Sequence, residues 1–207
     1  MTALLTLQGL GCSRGGRPLF SGLDLSVKPG WLVRVQGANG AGKTSLLRLL
    51  CGLLLPSEGQ VCWRGEPLSA QRETLGRERV YLGHAAAMKD GLSLLENLEF
   101  ACQLAGSSAS RADCVLALDE AGLQGYEHTL AKRLSEGQRR RAALARLKLS
   151  SHAPLWILDE PFNALDAPAV RWVEGLVDKH LQRSGIVVLT SHQGLPLPDA
   201  MAQVVSL

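Results

Sequence analysis

Hydrophobic and polar positions follow three successive textures along the chain. The first third reads as strands. Residues 4–10 alternate apolar with small or polar side chains, as an edge strand does, and Leu23-Asp24-Leu25-Ser26-Val27 alternates again. Gly15-Gly16-Arg17-Pro18 predicts a turn between them. Lys28-Pro29-Gly30 predicts a hairpin from the second run onto Trp31-Leu32-Val33-Arg34-Val35, an apolar stretch that reads as a short buried strand. A helix over Ser45-Leu46-Leu47-Arg48-Leu49-Leu50, a strand and turn over residues 59–66, and a short strand Arg79-Val80-Tyr81-Leu82 follow.

The middle changes to helical periodicity. Ser93 is placed to cap a helix carrying Leu95, Leu98 and Phe100, and residues 111–121 predict a second helix. Residues 83–134 therefore read as a small helical lobe inserted into an α/β core. The core resumes at Leu155-Trp156-Ile157-Leu158, a continuous apolar run suited to a central parallel strand. A helix over residues 170–183 carries Trp172, Leu176, Val177 and Leu181 and stops before Gly185. Ile186-Val187-Val188-Leu189-Thr190 is another buried strand, and Gln203-Val204-Val205-Ser206-Leu207 a last one, with no further regulatory domain expected. The chain is thus expected to form a single unit over residues 1–207, without internal repeats.

Between the first buried strand and the first helix lies Gly37-Ala38-Asn39-Gly40-Ala41-Gly42-Lys43-Thr44, a phosphate-binding loop of the form G-x-x-x-x-G-K-[ST], followed by Ser45. Its glycines let backbone N–H groups turn toward a polyphosphate, and the helix N-terminus adds roughly half a positive charge there. Lys43 is placed to reach β- and γ-phosphates, and the Thr44 hydroxyl to ligate Mg²⁺. The strand at residues 155–158 ends in Asp159-Glu160. A carboxylate at the C-terminal end of a parallel strand beside such a loop suits Mg²⁺ held through its water shell, which assigns Asp159, and leaves Glu160 to orient or deprotonate an attacking water.

A second anion-binding feature is Leu134-Ser135-Glu136-Gly137-Gln138. Ser135 and Gln138 form an S-x-x-Q capping box that opens a helix carrying Arg141, Leu144 and Leu147. The basic cluster Arg139-Arg140-Arg141, with Arg146 and Lys148, reads as a solvated helix face, or else as a contact for phosphates or a membrane partner. The formal charge of +3 over 207 residues calls for no nucleic-acid partner, and 46% hydrophobic content suffices for a substantial core. Five cysteines without a C-x-x-C pair argue for free thiols in a reducing compartment. The N-terminus shows no basic, signal-like region, and the most apolar stretch, residues 46–55, is too short for the ~20 residues of a bilayer span.

In this order, residues 37–44, residues 134–138, residues 156–160, Ala164-Leu165-Asp166 and His192 resemble an ABC-type ATPase over essentially the whole chain. The resemblance implies a P-loop NTPase core with an antiparallel β subdomain and an inserted helical lobe, and ATP with Mg²⁺ as ligands. It implies a homodimer that sandwiches two ATP molecules, each held by one subunit's phosphate loop and by the other's Leu134–Gln138 segment, with Ser135 and Gly137 touching a γ-phosphate in trans. Asp166 would communicate between the two sites, and His192 would contact the γ-phosphate and steady Glu160.

The short chain, Gly83-His84 where most relatives carry glutamine, and the runs at residues 156–166 and 185–193 are similar to the ATP-binding subunits of bacterial haem exporters. That likeness implies a peripheral subunit on the cytoplasmic face of the inner membrane. It would work with multi-span membrane subunits and, indirectly, with a periplasmic haem chaperone of c-type cytochrome biogenesis. A transporter of lipid, lipoprotein or another small solute is the alternative. A soluble relative acting on DNA or ribosomes is disfavoured, because such proteins carry coiled-coil arms, zinc modules or tandem cassettes that this chain lacks.

Two positions depart from the broad pattern. Imidazole suits softer metals than Mg²⁺, so His84 is expected to bond a water or a coupling partner instead of the ion. No aromatic residue stands near Cys12-Ser13-Arg14 to stack on adenine, which leaves the planar guanidinium of Arg14 as the candidate, or as an exposed loop residue.

Overall fold

The computed structural model describes residues 3–191 and 202–207. The chain opens with two long strands, β1 (Leu5–Arg14) and β2 (Arg17–Val27), joined through Gly15 and Gly16, both at positive φ. β3 (Leu32–Gln36) leads into α1 (Lys43–Leu50), and β4 (Glu58–Trp63) and β5 (Glu66–Pro67) follow. These strands do not form the hairpin expected between residues 23–27 and 31–35. β2 pairs with β1 in an antiparallel sheet ordered β2-β1-β4-β5, while β3 joins a separate parallel sheet. The burial patterns give the reason. β2 alternates and keeps one wet face, whereas Leu32, Val33 and Val35 are all buried and need cover on both faces.

A short helix, α2 (Arg72–Glu78), which the hydrophobic pattern does not announce, leads to β6 (Arg79–Leu82). Then come α3 (Leu94–Leu104), α4 (Arg111–Glu120) and α5 (Glu136–Leu149). β7 (Leu155–Leu158), α6 (Ala167–Gln182), β8 (Ile186–Thr190) and β9 (Ala202–Ser206) complete a five-stranded parallel sheet ordered β6-β7-β8-β3-β9. α6 starts three residues earlier than periodicity suggests, because Pro168 is tolerated in the first turn, where its missing N–H costs nothing.

The alternation of β7 and β8 divides the core. Leu155, Ile157, Ile186 and Val188 face α1 and the antiparallel sheet, whose Leu5, Leu7 and Trp63 are buried with them. Trp156, Leu158, Val187 and Leu189 face the other way, onto Leu144 and Leu147 of α5 and Val173 and Val177 of α6. A third cluster joins Leu94, Leu98, Cys102, Cys114 and Leu118 of α3 and α4 to Ala142 and Ala145 of α5. α5 therefore belongs to both the helical lobe and the α/β core. All five cysteines are buried and free. The C-terminal ends of β3, β7 and β8 lie side by side, which is where an open parallel sheet binds its ligand.

Candidate functional site

The phosphate loop leaves β3 and enters α1 at Gly42, whose φ of 107° and ψ of 9° are left-handed. A Cβ there would sit 3.1 to 3.3 Å from Leu19 and the Phe20 ring, so β2 of the antiparallel sheet buttresses the loop and only glycine fits without displacement. Among the described residues no side chain caps α1, which leaves its first-turn N–H groups available to an anion, with the helix dipole behind them. The Lys43 amine folds over the loop and donates to the carbonyls of Gly37 at 2.8 Å and Ala38 at 3.1 Å.

Asp159 and Glu160 follow β7, and Thr190 ends the neighbouring β8 one register step away. The Thr44 hydroxyl donates to Asp159 Oδ2 at 2.9 Å, and the Thr190 hydroxyl donates to Asp159 Oδ1 at 2.8 Å. Thr190 also accepts from the Glu160 N–H at 2.8 Å. Asp159, Glu160 and Thr190 are buried, and Glu160 holds a left-handed φ of 49°. The all-oxygen pair of Thr44 and Asp159, already in contact, fits a hard ion such as Mg²⁺ that retains much of its water.

Arg14, Leu19, Asn39, Gly40, Gly42, Lys43, Thr44, Ser45, His84, Asp159, Glu160 and Asn163 line one cavity of about 540 Å³. Arg14 thus stands on the wall of the same cavity as the phosphate loop. His84 reaches it from the loop after β6, while Gly37, Ala38 and Ala41 complete the loop without lining it.

The Leu134–Gln138 segment is not part of this cavity. Leu134 is buried, but Ser135 and Glu136 are exposed where α5 begins. The capping box read from the sequence is present: Ser135 Oγ accepts from the Gln138 N–H at 3.2 Å, and Gln138 Oε1 from the Ser135 N–H at 2.9 Å. A Cβ on Gly137 would come within 2.8 Å of the Ala164 carbonyl, so α5 starts in close contact with the loop after Glu160. Asp166 caps α6, accepting from the Ala169 N–H at 3.0 Å. His192 lies outside the described residues.

The basic cluster is a solvated face only in part. Arg139 pairs with Asp90, Arg141 donates to the Gly122 carbonyl, and Lys148 pairs with Glu120. Arg140 turns inward and is only 5% exposed. Its guanidinium donates to the carbonyls of Gly83, His84, Asp159, Glu160 and Pro161 at 2.7 to 3.4 Å. Burial pulls its pKa down, and the negative charges of Asp159 and Glu160 oppose that pull. Thr190 and Arg140 both escape motif reading. Each carries a faint signal: Thr190 is the polar end of a wholly apolar strand, and Arg140 stands four and seven residues before the buried Leu144 and Leu147, on one helix face.

Comparison with known proteins supplies the family. The ABC transporter family model matches residues 20–163. A cytochrome c biogenesis ATP-binding export protein, CcmA, of Dechloromonas aromatica (strain RCB) is 48% identical over 195 residues, covering 94% of this chain and 95% of its own. The protein of the same name from Methylococcus capsulatus (strain Bath) is 50% identical over 193 residues, 93% of each chain. Among solved structures, an ABC transporter ATP-binding protein from Pyrococcus furiosus superposes with a TM-score of 0.82 at 24% identity, covering 97% of this chain and 96% of its own. The parallel sheet with its phosphate loop, the antiparallel sheet buttressing that loop and the helical lobe are the shared architecture, and the chain belongs to the ABC transporter family, among the cytochrome c biogenesis ATP-binding export proteins.

Proposed function

We propose that this chain hydrolyses ATP as the paired, peripheral subunit of a haem exporter on the cytoplasmic face of the bacterial inner membrane. One observation carries the pairing. Lys43, Thr44, Asp159 and Glu160 share one cavity, while the anion-suited start of α5 opens to solvent outside it. A second copy facing the first would bring its Ser135 and Gly137 to the phosphates that the loop holds, and each copy would complete the other's site.

Within that pair the loop residues 37–45 bind the polyphosphate through backbone N–H groups, and Lys43 exchanges its loop carbonyls for phosphate oxygens. Thr44 and Asp159 would hold Mg²⁺, which neutralises charge building up on the β- and γ-phosphates. Glu160 orients or deprotonates the attacking water, its main chain fixed by Thr190. His192, just beyond β8, steadies Glu160 and the γ-phosphate. Asp166, at the start of α6, relays between the two sites. His84, on the cavity wall, senses the bound water or the coupling partner, and Arg14 lies against the base. Residues 1–207 act as one nucleotide-binding unit, with residues 83–134 as its helical lobe.

No helix among the described residues is long and apolar enough to cross a membrane. In this reading multi-span subunits carry the pathway, and hydrolysis drives haem handling and release of a haem-loaded periplasmic chaperone. The 48% and 50% identities to cytochrome c biogenesis export proteins support the haem assignment. Its test is complementation. A strain lacking this chain should lose haem-stained c-type cytochromes, and Glu160→Gln should fail to restore them. Normal c-type cytochromes in the deletion strain would remove haem and leave a transporter of another solute.

A further inference from the structure

We propose that Arg140 is a positioning residue for hydrolysis: it ties the helix that begins at Ser135 to the main chain of Glu160 and to the loop bearing His84. The inference rests on the ATPase reading above and adds a residue to its machinery.

The geometry is specific. Arg140 lies one and a half turns into α5, and its planar fork reaches two separate loops at once. Nη1 donates to Gly83 at 2.8 Å and His84 at 3.2 Å, after β6; Nη2 donates to Asp159 and Glu160, both at 2.7 Å, after β7. Every acceptor is a main-chain carbonyl. Removing the guanidinium would leave buried carbonyls short of a donor, so these bonds also contribute to stability. A fork of donors does what an apolar plug cannot, which is to fix the direction of several peptide planes together.

The Glu160 residue is the one that needs such fixing. Its φ of 49° is a strained value for a residue with a Cβ. Thr190 holds its N–H and Arg140 holds its carbonyl, so the backbone that aims the Glu160 side chain is clamped from both ends. One clamp belongs to the parallel sheet. The other belongs to α5, the helix shared with the lobe. The placement of Glu160 therefore follows the placement of the α5 start that faces the partner's nucleotide.

The test compares wild type, Arg140→Met and Arg140→Lys, each assembled with the membrane subunits, by ATP turnover across ATP concentrations. Melting temperature and affinity for Mg²⁺-ATP of each purified full chain are measured alongside. Arg140→Met should lower kcat by at least about tenfold while KM for ATP stays within about twofold, because only the water-positioning side of the site is disturbed. Arg140→Lys keeps the charge but not the fork and should fall between. If Arg140→Met does not fold, the lysine variant decides, with reduced kcat at unchanged KM supporting the role and wild-type kcat overturning it. Wild-type kcat in Arg140→Met overturns the inference. So does a fall of kcat in step with ATP affinity and melting temperature that lysine does not relieve. A wild-type complex that hydrolyses no ATP would instead overturn the ATPase reading and this inference with it.

Discussion

The Thr190 hydroxyl is fully buried and occupied twice, as donor to Asp159 Oδ1 and as acceptor from the Glu160 N–H. Thr190→Val keeps the shape and removes both bonds, leaving a buried N–H and a buried carboxylate oxygen short of a partner. Urea unfolding should show a loss of about 1 to 3 kcal/mol, and Thr190→Ser should recover most of it. Equal stability of the valine variant would mean that the hydroxyl is dispensable. The residues of this site that were legible in sequence are those whose partners are linear: Lys43 and Thr44 within a spaced glycine pattern, and Asp159 and Glu160 after an apolar run. Arg140 was not legible as a site residue because all its acceptors are backbone carbonyls, which every sequence offers everywhere. Thr190 hid for another reason: its partners are brought alongside only when β7 and β8 pair.

At the scale of elements, the starts of α3, α4 and α5 are fixed by the same device, a serine whose side chain and third-following residue exchange bonds with the backbone. At Ser93 and Ser110 the box secures the lobe. At Ser135 the proposed second role, touching a partner's phosphate, can be separated from capping. Aspartate caps a helix about as well as serine and suits the dipole, so Ser135→Asp should hold the unfolding free energy within about 0.5 kcal/mol. It would also set a negative charge against the phosphates, and turnover of the assembled complex should fall at least about tenfold. Unchanged turnover would reduce Ser135 to a cap. The Ser93 cap and the Ser135 box were readable because capping is local chemistry. The false hairpin into β3 shows the complement: Lys28-Pro29-Gly30 is sound turn chemistry, but which sheet a strand joins is decided by how many of its faces must be buried. α2 was unreadable from hydrophobic period because it is a short surface turn, tied to its surroundings by polar bonds at its start, where Gln71 donates to the Trp63 and Glu66 carbonyls.

Across the whole molecule, two of the three apolar clusters meet along α5, and Trp172 packs against both of them, the sheet cluster and the lobe cluster. Behind the sheet, His180 of α6 stacks on Trp156 of β7, with ring centroids 3.9 Å apart and planes 11° from parallel. Burial pushes the His180 pKa down from 6.5 to about 4. The unfolded chain therefore takes up a proton near 6.5 that the folded chain refuses until about 4. Stability should be intact above the upper value and fall as pH drops through that window, by at most about 1.4 kcal/mol per pH unit. Urea unfolding at a series of pH values measures this, and His180→Phe should flatten it; an unchanged slope would assign the acid sensitivity to other groups. The central claim, that a loop from one copy and a helix start from the other make each ATP site, has a direct test in mixed assembly. Lys43→Ala and Ser135→Asp chains are each expected to be inactive alone with the membrane subunits. Mixed together, they should regain on the order of a quarter of wild-type turnover, since half of random pairs are mixed and each mixed pair keeps one intact site. No recovery in the mixture, with mixed pairs shown to form, would contradict sites completed in trans.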